Sequence, residues 1–379
     1  MNLPYSYHSL CRWTFNAGKG GFVPGNIRPQ WTADSLSTEQ TISLISREIR
    51  PRLPEHIRLG FEVHYDTEIH ESNAKELADQ LTESQMHLAM ITPGLHSHFG
   101  YGGPASLDAD ERARASALAE RTVDLAYSAL RKAWHSDPAL HPSLVLWNGS
   151  YGYDLATPAI QVMYQNLKAS VASLVEYEAN KGGQLFMGIE PKPNEGHPAM
   201  LLPTVASAIL FWLRLKEEFG VSLAKKGINK EFGHSEMIGL DAVYDTVEEI
   251  DNRMISHVHL NSQGYGDGLT LGGPGKYDID HGFKITGSGI AIASLIESSG
   301  YARWLGHDIQ PRPYDSENQA IDRVVRSILS WDACQSAARQ LNTTELNSLL
   351  AKRNTAAAED MMRDAIVDAH KRFNELYSA

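Results

Sequence analysis

Eight short apolar runs, each separated from the next by a longer amphipathic stretch, constrain this chain more than any other feature of its sequence. The runs have the length and composition of buried β-strands, and the intervening stretches carry apolar residues at helical spacing. The eight runs cover residues 9–14, 58–64, 87–92, 143–147, 185–190, 227–231, 256–260 and 303–308. Strands that alternate with helices form parallel crossover units, and eight such units predict an α/β fold, the (β/α)8 TIM barrel.

The stretches between the runs predict the helical layer of the barrel. Helices are predicted over residues 39–49, 74–81, 109–135, 156–181, 204–219, 235–252 and 287–298. A doubly wound open sheet is the alternative, but no GxGxxG motif follows the first predicted strand.

The pattern changes after residue 315, where no further strand is predicted. Helices are predicted at 321–330 and 360–376, beyond the eighth strand. We therefore predict a TIM-barrel catalytic domain over 1–315 and a helical C-terminal extension over 316–379. Because the helices of a barrel already cover its strands, we expect this C-terminal arm to join subunits in a homo-oligomer, either a dimer or a tetramer.

The composition of the chain indicates a globular protein and argues against nucleic acid and membranes as partners. The 379 residues are 42% hydrophobic and 21% charged, which is typical of a globular protein, and a net charge of −12 without a basic run argues against nucleic acid. Cys11 and Cys334 show no metal or disulfide spacing and fit a reducing compartment. No signal-peptide pattern or convincing membrane span occurs, so we expect a cytoplasmic protein without a membrane partner.

Polar residues stand at the C-terminal ends of six predicted strands. These ends meet at one rim of a barrel, where the active sites of this architecture lie. The polar residues at the rim are His64, Asp66, Trp147, Asn148, Glu190, Lys192, Glu231, His234, His257, His259 and Asp308. Glu190 and Lys192 alone are equally typical of a structural ion pair, but six such strand ends together indicate a site.

Two short motifs add to the potential metal ligands. Glu231 and His234 form an E-x-x-H pair, and Asp278 and Asp280 form a D-x-D pair, although each is also typical of a surface ion pair or a solvated turn. The complete set of predicted ligands is Glu190, Glu231, His234, His259, Asp278, Asp280 and Asp308. Seven ligands with a carboxylate majority suffice for two divalent cations and favour magnesium or manganese, while the imidazoles shift the preference toward manganese, cobalt, iron or zinc.

Several segments resemble successive strand-end motifs of the xylose isomerase family. They are FMGIEPKPNEG, LLPTVASAILFWLRL, NKEFGHSEMIGLD, HVHLNSQ and KYDID, in the same order along the chain. The resemblance implies a divergent member of that family. Such a protein is a TIM-barrel aldose–ketose isomerase, usually a tetramer, that uses two divalent cations and no organic cofactor. The cations, magnesium, manganese or cobalt, bind an open-chain sugar while hydride moves between C1 and C2.

The resemblance also implies a role for each matching residue. Glu190, Glu231 and Asp308 would hold the substrate-binding metal. Glu231 would bridge to a second metal on His234, Asp278 and Asp280. Lys192 would contact the substrate carbonyl oxygen, and His64 would be the ring-opening histidine with Asp66 nearby. Trp147 and Phe22 would form aromatic walls of the sugar pocket.

The chain departs from the family pattern at the strand ends. His259 stands where the family has an aspartate, Asp66 lies one position short of the orienting acid, and DIQP at 308–311 lacks a lysine. The glycine-rich stretch 263–275 is also longer than the family pattern. A related metal-dependent epimerase or keto-sugar lyase, which uses proton transfer through an enediolate, is therefore the alternative. A non-catalytic sugar- or metal-binding module is the third hypothesis.

Overall fold

The eight predicted strands are present and form one closed parallel barrel, so the predicted TIM barrel is confirmed. The structure, a computed structural model, describes residues 5–15, 36–193, 199–262, 285–311 and 315–378. The barrel strands are β1 (Ser6–Cys11), β2 (Ile57–Tyr65), β3 (His87–Pro93), β4 (Ser143–Trp147), β5 (Phe186–Glu190), β6 (Lys226–Glu231), β7 (Ile255–His259) and β8 (Leu305–His307). Strand β8 pairs in parallel with β1 and closes the barrel. A small antiparallel pair, Gly152–Tyr153 with Ala199–Met200, lies outside it.

Twelve α-helices occur in the described part of the chain. They are α1 (Thr38–Leu44), α2 (Ala74–Glu83), α3 (Leu95–His98), α4 (Ala109–Tyr127), α5 (Ile160–Lys181), α6 (Val205–Phe219), α7 (Phe232–Glu236), α8 (Ala242–Asp251), α9 (Gly287–Ser299), α10 (Glu317–Gln340), α11 (Thr343–Ala351) and α12 (Thr355–Ser378). None of these helices combines the length and the apolar character needed to cross a membrane.

Three predicted helices differ from the observed ones. The helix predicted over 39–49 is α-helical only as far as Leu44 and continues as a π-helix over Ile45–Ile49. The helix predicted over 109–135 ends at Tyr127, and a short 3-10 turn follows. The helix predicted over 235–252 is divided into α7 and α8, because Gly239 adopts a left-handed φ of 72° that ends the first segment. This break lets α7 follow directly on Glu231 at the end of β6, while α8 packs outside the barrel.

Helix α6 shows how local sequence fixes the position of β6. Thr204 and Ser207 form a capping box that begins the helix, and Gly220 in the left-handed conformation ends it. The buried Trp212 donates a hydrogen bond from Nε1 to the Gly227 carbonyl oxygen at 2.6 Å. The helix is thereby attached to the strand that carries Glu231 into the barrel mouth.

Helix α10 lies where the eighth helix of a barrel belongs. It packs against α9 and α12, and much of its length is buried. Helix α12 packs on α10 and α9 through Ala358, Ala365, Ala369 and Phe373. The predicted boundary between residues 315 and 316 falls before all three final helices. That division, and the oligomerising role of the arm, stay predictions.

A buried cluster of charges lies between β6 and α8. Lys230, which is 1% exposed, donates to Ser235 Oγ at 3.0 Å and lies 3.6 Å from Asp245 Oδ2 and 4.0 Å from Glu249 Oε1. Neither carboxylate oxygen of Glu249 has a hydrogen-bond partner among the described residues. Burial raises the pKa of Glu249 to about 8, although the charge of Lys230 opposes this shift.

The raised pKa of Glu249 predicts a specific dependence of stability on pH. Between the ordinary carboxyl pKa of 4.5 and about 8, the folded protein binds more protons than the unfolded chain, so stability falls as pH rises. Glu249→Gln removes this loss. Between pH 5 and 8 we expect its free energy of unfolding to improve relative to the wild type by on the order of a few kcal/mol.

Urea unfolding at both pH values measures this difference. Glu248→Gln is the matched control, because that neighbouring carboxylate is only half-buried. The assignment is wrong if wild type and Glu249→Gln lose the same stability over this interval.

Candidate active site

The C-terminal ends of β5 to β8 bring four predicted metal ligands to one point. Nδ1 of His259 lies 3.2 Å from Glu231 Oε2, 3.6 Å from Glu190 Oε2 and 3.8 Å from Asp308 Oδ2. Donor atoms of Glu231, His259 and Asp308 all lie within 4.8 Å of one another. Glu190, Glu231 and His259 are buried, whereas Asp308 is partly exposed and lies at the open side of the group.

A second group shares Glu231 with the first. Donor atoms of Glu190, Glu231 and His234 also lie within 4.8 Å of one another. Nδ1 of His234 lies 2.9 Å from the Pro191 carbonyl oxygen, which assigns the proton to that nitrogen, and Nε2 lies 2.9 Å from Glu231 Oε1. The two oxygens of Glu231 therefore face different groups, as a bridging carboxylate requires.

The charges of the site are strongly coupled by burial. Burial, followed by the negative charge of Glu231, raises the pKa of Glu190 to about 7. Burial alone would also raise the pKa of Glu231, but His234 and His259 outweigh it and hold that pKa well below its usual range. Several acids share one desolvated space, and this arrangement is stable only beside positive charge.

The donor chemistry of both groups fits a divalent cation. Each group offers two carboxylates and one imidazole at mutual distances that a single ion can span. Carboxylate oxygen with added imidazole nitrogen suits manganese and related ions, and magnesium where oxygen ligands dominate. Glu190, Glu231, His234, His259 and Asp308 are the described residues that would hold it.

Neutral donors fix the orientation of these carboxylates. Asn229 Nδ2 donates to Glu190 Oε2 at 2.6 Å, and Asn261 Nδ2 donates to Glu231 Oε1 at 2.5 Å. Trp13 Nε1 donates to Asp308 Oδ1 at 2.8 Å. The sequence analysis missed all three residues. A signal existed for two of them, because Asn229 and Asn261 each lie two positions from a ligand on or just beyond the same strand and so share its face.

A row of rings borders the open side of the site. The ring centroids of Trp13 and His64 are 4.3 Å apart, those of His64 and His96 are 5.3 Å apart, and those of His96 and Trp147 are 4.5 Å apart. Lys192 Nζ lies 5.3 Å from the centroid of Trp147. The structure thus brings together the predicted His64, Trp147 and Lys192. His96 lies on the four-residue helix α3, which the sequence analysis did not predict.

The position of Trp147 depends on a neighbouring glycine. A Cβ atom at Gly149 would collide with the six-membered ring of Trp147. Only glycine therefore allows the strand end to turn while the indole lies against it.

His64 is oriented by an acid other than the predicted one. Its Nδ1 lies 3.2 Å from Glu68 Oε2, which also accepts the backbone N–H of His64 at 2.7 Å. Asp66, predicted as a catalytic residue, instead places Oδ1 2.7 Å from Nε2 of the exposed His98. Glu68 lies four positions after His64, and the tight turn that follows β2 brings it back to the imidazole. The structure does not bring Asp66 to His64.

Three predicted site residues cannot be located in this geometry. Phe22, Asp278 and Asp280 lie outside the described residues, as does the glycine-rich stretch 263–275. Their predicted roles in the sugar pocket and at the second metal stay predictions.

Comparison with known proteins identifies similarities in sequence and in fold. No protein-family model matches the sequence. Xylose isomerase of Streptomyces lividans is 30% identical over 207 residues, which are 54% of this chain and 47% of that relative. Over those residues the chain is similar in sequence to a xylose isomerase. It spans about half the length of the curated relative that it matches.

Solved structures share the barrel fold of this chain over most of its length. An L-ribulose 3-epimerase aligns with a TM-score of 0.57 at 15% identity, covering 90% of this chain and 97% of the other. A D-allulose 3-epimerase from Methylomonas sp. in complex with D-allulose gives 0.53 at 13% identity, covering 86% and 95%. A xylose isomerase domain protein from Planctomyces limnophilus gives 0.52 at 11% identity, covering 88% and 99%. These likenesses establish the fold.

The shared position of Glu231 predicts that one substitution disrupts both groups. Glu231→Gln removes a negative charge and an anionic donor from each, so stoichiometric uptake of Mn²⁺ should be lost. Metal analysis of the purified protein and titration with Mn²⁺ measure the effect. Asp66→Asn is the matched control, since it neutralises a carboxylate at the same rim but outside both groups. Full metal content in Glu231→Gln would exclude the bridging position.

Proposed function

We propose that this protein is a divalent-metal-dependent isomerase that interconverts an aldose and a ketose by moving hydride between C1 and C2 of an open-chain sugar. The observation that carries the proposal is the meeting of two acid–histidine groups at Glu231, beside Lys192, at one barrel mouth. The similarity to the Streptomyces lividans xylose isomerase supports it. We further propose that two cations bind, with Asp278 and Asp280 completing the second site.

The cation, Lys192 and Trp147 have different roles in the proposed reaction. A divalent cation bound here supplies Lewis acidity to adjacent sugar oxygens. Lys192, only 5% exposed, places a fixed positive charge where negative charge develops on oxygen during the transfer. The indole of Trp147 packs below that charge and excludes water from the reacting carbons.

His64 supplies proton transfer for opening the sugar ring. Its hydrogen bond to Glu68 assigns the proton to Nδ1 and leaves Nε2 as the nitrogen that accepts a proton from a sugar hydroxyl. Contacts with the rings of Trp13 and His96 hold the imidazole at the rim. Glu68 therefore takes the orienting role that the sequence analysis gave to Asp66.

A homo-oligomer formed through the C-terminal arm is part of the proposal. Leu350 on α11 and Val367 on α12 are exposed apolar side chains, 50% and 43% accessible, on the surface that the arm presents. We propose that another subunit covers these two side chains. We also propose that the enzyme acts in the cytoplasm.

A sugar epimerase, or a keto-sugar lyase, is the second candidate. His259 favours it, because an imidazole replaces a carboxylate beside the sugar oxygens and lowers the negative charge of the site. Two of the solved proteins with this fold are 3-epimerases. Such enzymes would abstract a proton and pass through an enediolate instead of transferring hydride.

Solvent isotope incorporation separates the two candidates. A direct hydride transfer retains the substrate hydrogen, so product formed in D₂O should contain no deuterium on carbon. A proton-transfer epimerase would introduce up to about one deuterium per turnover, because its base exchanges with solvent. Mass spectrometry of product at low conversion, across a panel of aldoses and ketoses with Mg²⁺, Mn²⁺ or Co²⁺, measures this. One deuterium per turnover in a product that is an epimer of the substrate would replace the isomerase by the epimerase, and the same label in the aldose–ketose isomer would exclude the hydride transfer.

Removal of the Lys192 charge should reduce turnover more than metal binding. Lys192→Met keeps the length of the side chain and removes the ammonium group, so kcat should fall on the order of 10²–10³-fold. The dissociation constant for Mn²⁺ should change little, because Lys192 is not a ligand. An unchanged kcat would remove Lys192 from the chemistry.

A further inference from the structure

Glu62 is a fully buried carboxylate. It is not among the predicted metal ligands and is not part of either acid–histidine group described above. It lies on β2, and its side chain crosses the barrel interior to β7, past β1 and β8. Oε1 lies 3.0 Å from His257 Nε2 and accepts from Ser9 Oγ at 2.5 Å. Oε2 lies 2.9 Å from His259 Nε2 and 3.5 Å from Cys11 Sγ.

The contact with His259 determines how that imidazole faces the metal ligands. A carboxylate accepts but does not donate, so the nitrogen beside Glu62, Nε2, carries a proton. The other nitrogen, Nδ1, faces Glu190, Glu231 and Asp308, and a cation bound among these carboxylates would take the place of a proton on it. A histidine that ligates a metal through one nitrogen and donates to a carboxylate through the other is held in both tautomer and orientation.

The backbone around this contact is adapted to it. A Cβ atom at Gly306 on β8 would collide with Glu62 Oε1 and would lie 2.7 Å from His259 Cδ2. The register between β2 and β3 also shifts between Phe61 and Glu62. Such irregularities re-aim a side chain next to a site. Space and strand register therefore both permit Glu62 to reach across to His259.

We infer that Glu62 is a positioning residue that presents Nδ1 of His259 to the cation. Its anionic oxygen holds the Nε2–H tautomer and increases the electron density on Nδ1. The inference rests on the proposed metal-dependent function, because the cation is what Nδ1 would bind. A merely structural carboxylate would neutralise the histidines without affecting which nitrogen is available.

The first experiment measures the affinity for Mn²⁺ alone, by electron paramagnetic resonance titration. Glu62→Gln should weaken it about 10–100-fold, the range found for partners that orient metal-ligating histidines. Glu249→Gln is the matched control, since it makes the same Glu-to-Gln exchange at another fully buried position but touches neither histidine on β7. Gly306→Ala is a second test, because it disturbs the contact between Glu62 and His259 without removing the charge of Glu62, and it should weaken affinity in the same direction.

The second experiment observes the tautomer of His259 directly, in the wild-type protein. Nitrogen-15 NMR of histidine-labelled wild type with saturating Mg²⁺ should show His259 protonated at Nε2, assigned by loss of the signals in His259→Asn. In Glu62→Gln the shifts of both ring nitrogens should change, while those in Glu249→Gln should not.

The outcomes separate this inference from the proposed function. Unchanged Mn²⁺ affinity in a folded Glu62→Gln, or an Nδ1–H tautomer in the Mg²⁺-bound wild type, overturns the positioning role even if sugars are isomerised. Weakened Mn²⁺ affinity with the predicted tautomer supports it even if no sugar turns over. Wild-type protein that binds no divalent cation overturns both.

Discussion

The desolvation of closely spaced carboxylates is the physical constraint on which the centre of this protein depends. Glu62, Glu190 and Glu231 are buried within one barrel, with Asp308 at its mouth. A buried carboxylate is stable only when donors or positive charges surround it. The nearby asparagines, histidines and lysine satisfy that requirement, and all lie on strands of the barrel or on the segments that directly follow them. The buried carboxylates are therefore stable only in the folded barrel, which holds their donors in place.

The interior of this barrel differs from the usual apolar stack of branched side chains. Ser9, Cys11, Glu62, His257 and His259 meet in its middle and are connected by hydrogen bonds. Apolar packing is concentrated between the strands and the helices, where Trp212 is an example. The same side chains consequently determine both the stability of the barrel interior and the orientation of the predicted ligand His259.

The sequence predicted those parts of the molecule that follow from periodicity. Strand positions follow from short apolar runs, and the parallel order follows from the helices between them. Glu190, Glu231 and His259 were predicted as neighbours because the barrel brings strand ends together, without any knowledge of distances. The break at Gly239 was missed because helical spacing continues on both sides of it.

Other contacts could not be predicted because they depend on register and on long-range geometry. Glu62 lies 195 positions from His257 and 197 from His259, and nothing in its neighbourhood marks it as more than one polar residue inside a strand. The register shift beside Glu62, and a similar shift between Ile228 and Asn229, decide which side chains reach the centre. Glu68 replaced Asp66 because a turn, rather than a sequence interval, sets the distance to His64.

The absence of a side chain at Gly306 has a consequence for how this lineage can diverge. An apolar barrel core tolerates gradual exchange among leucine, isoleucine and valine when total volume is kept. Here the cavity beside Gly306 is filled by an ion pair that reaches across from two other strands. Descendants that alter position 306, 62 or 259 singly lose more than volume, so neutral drift at these three positions requires coordinated replacement.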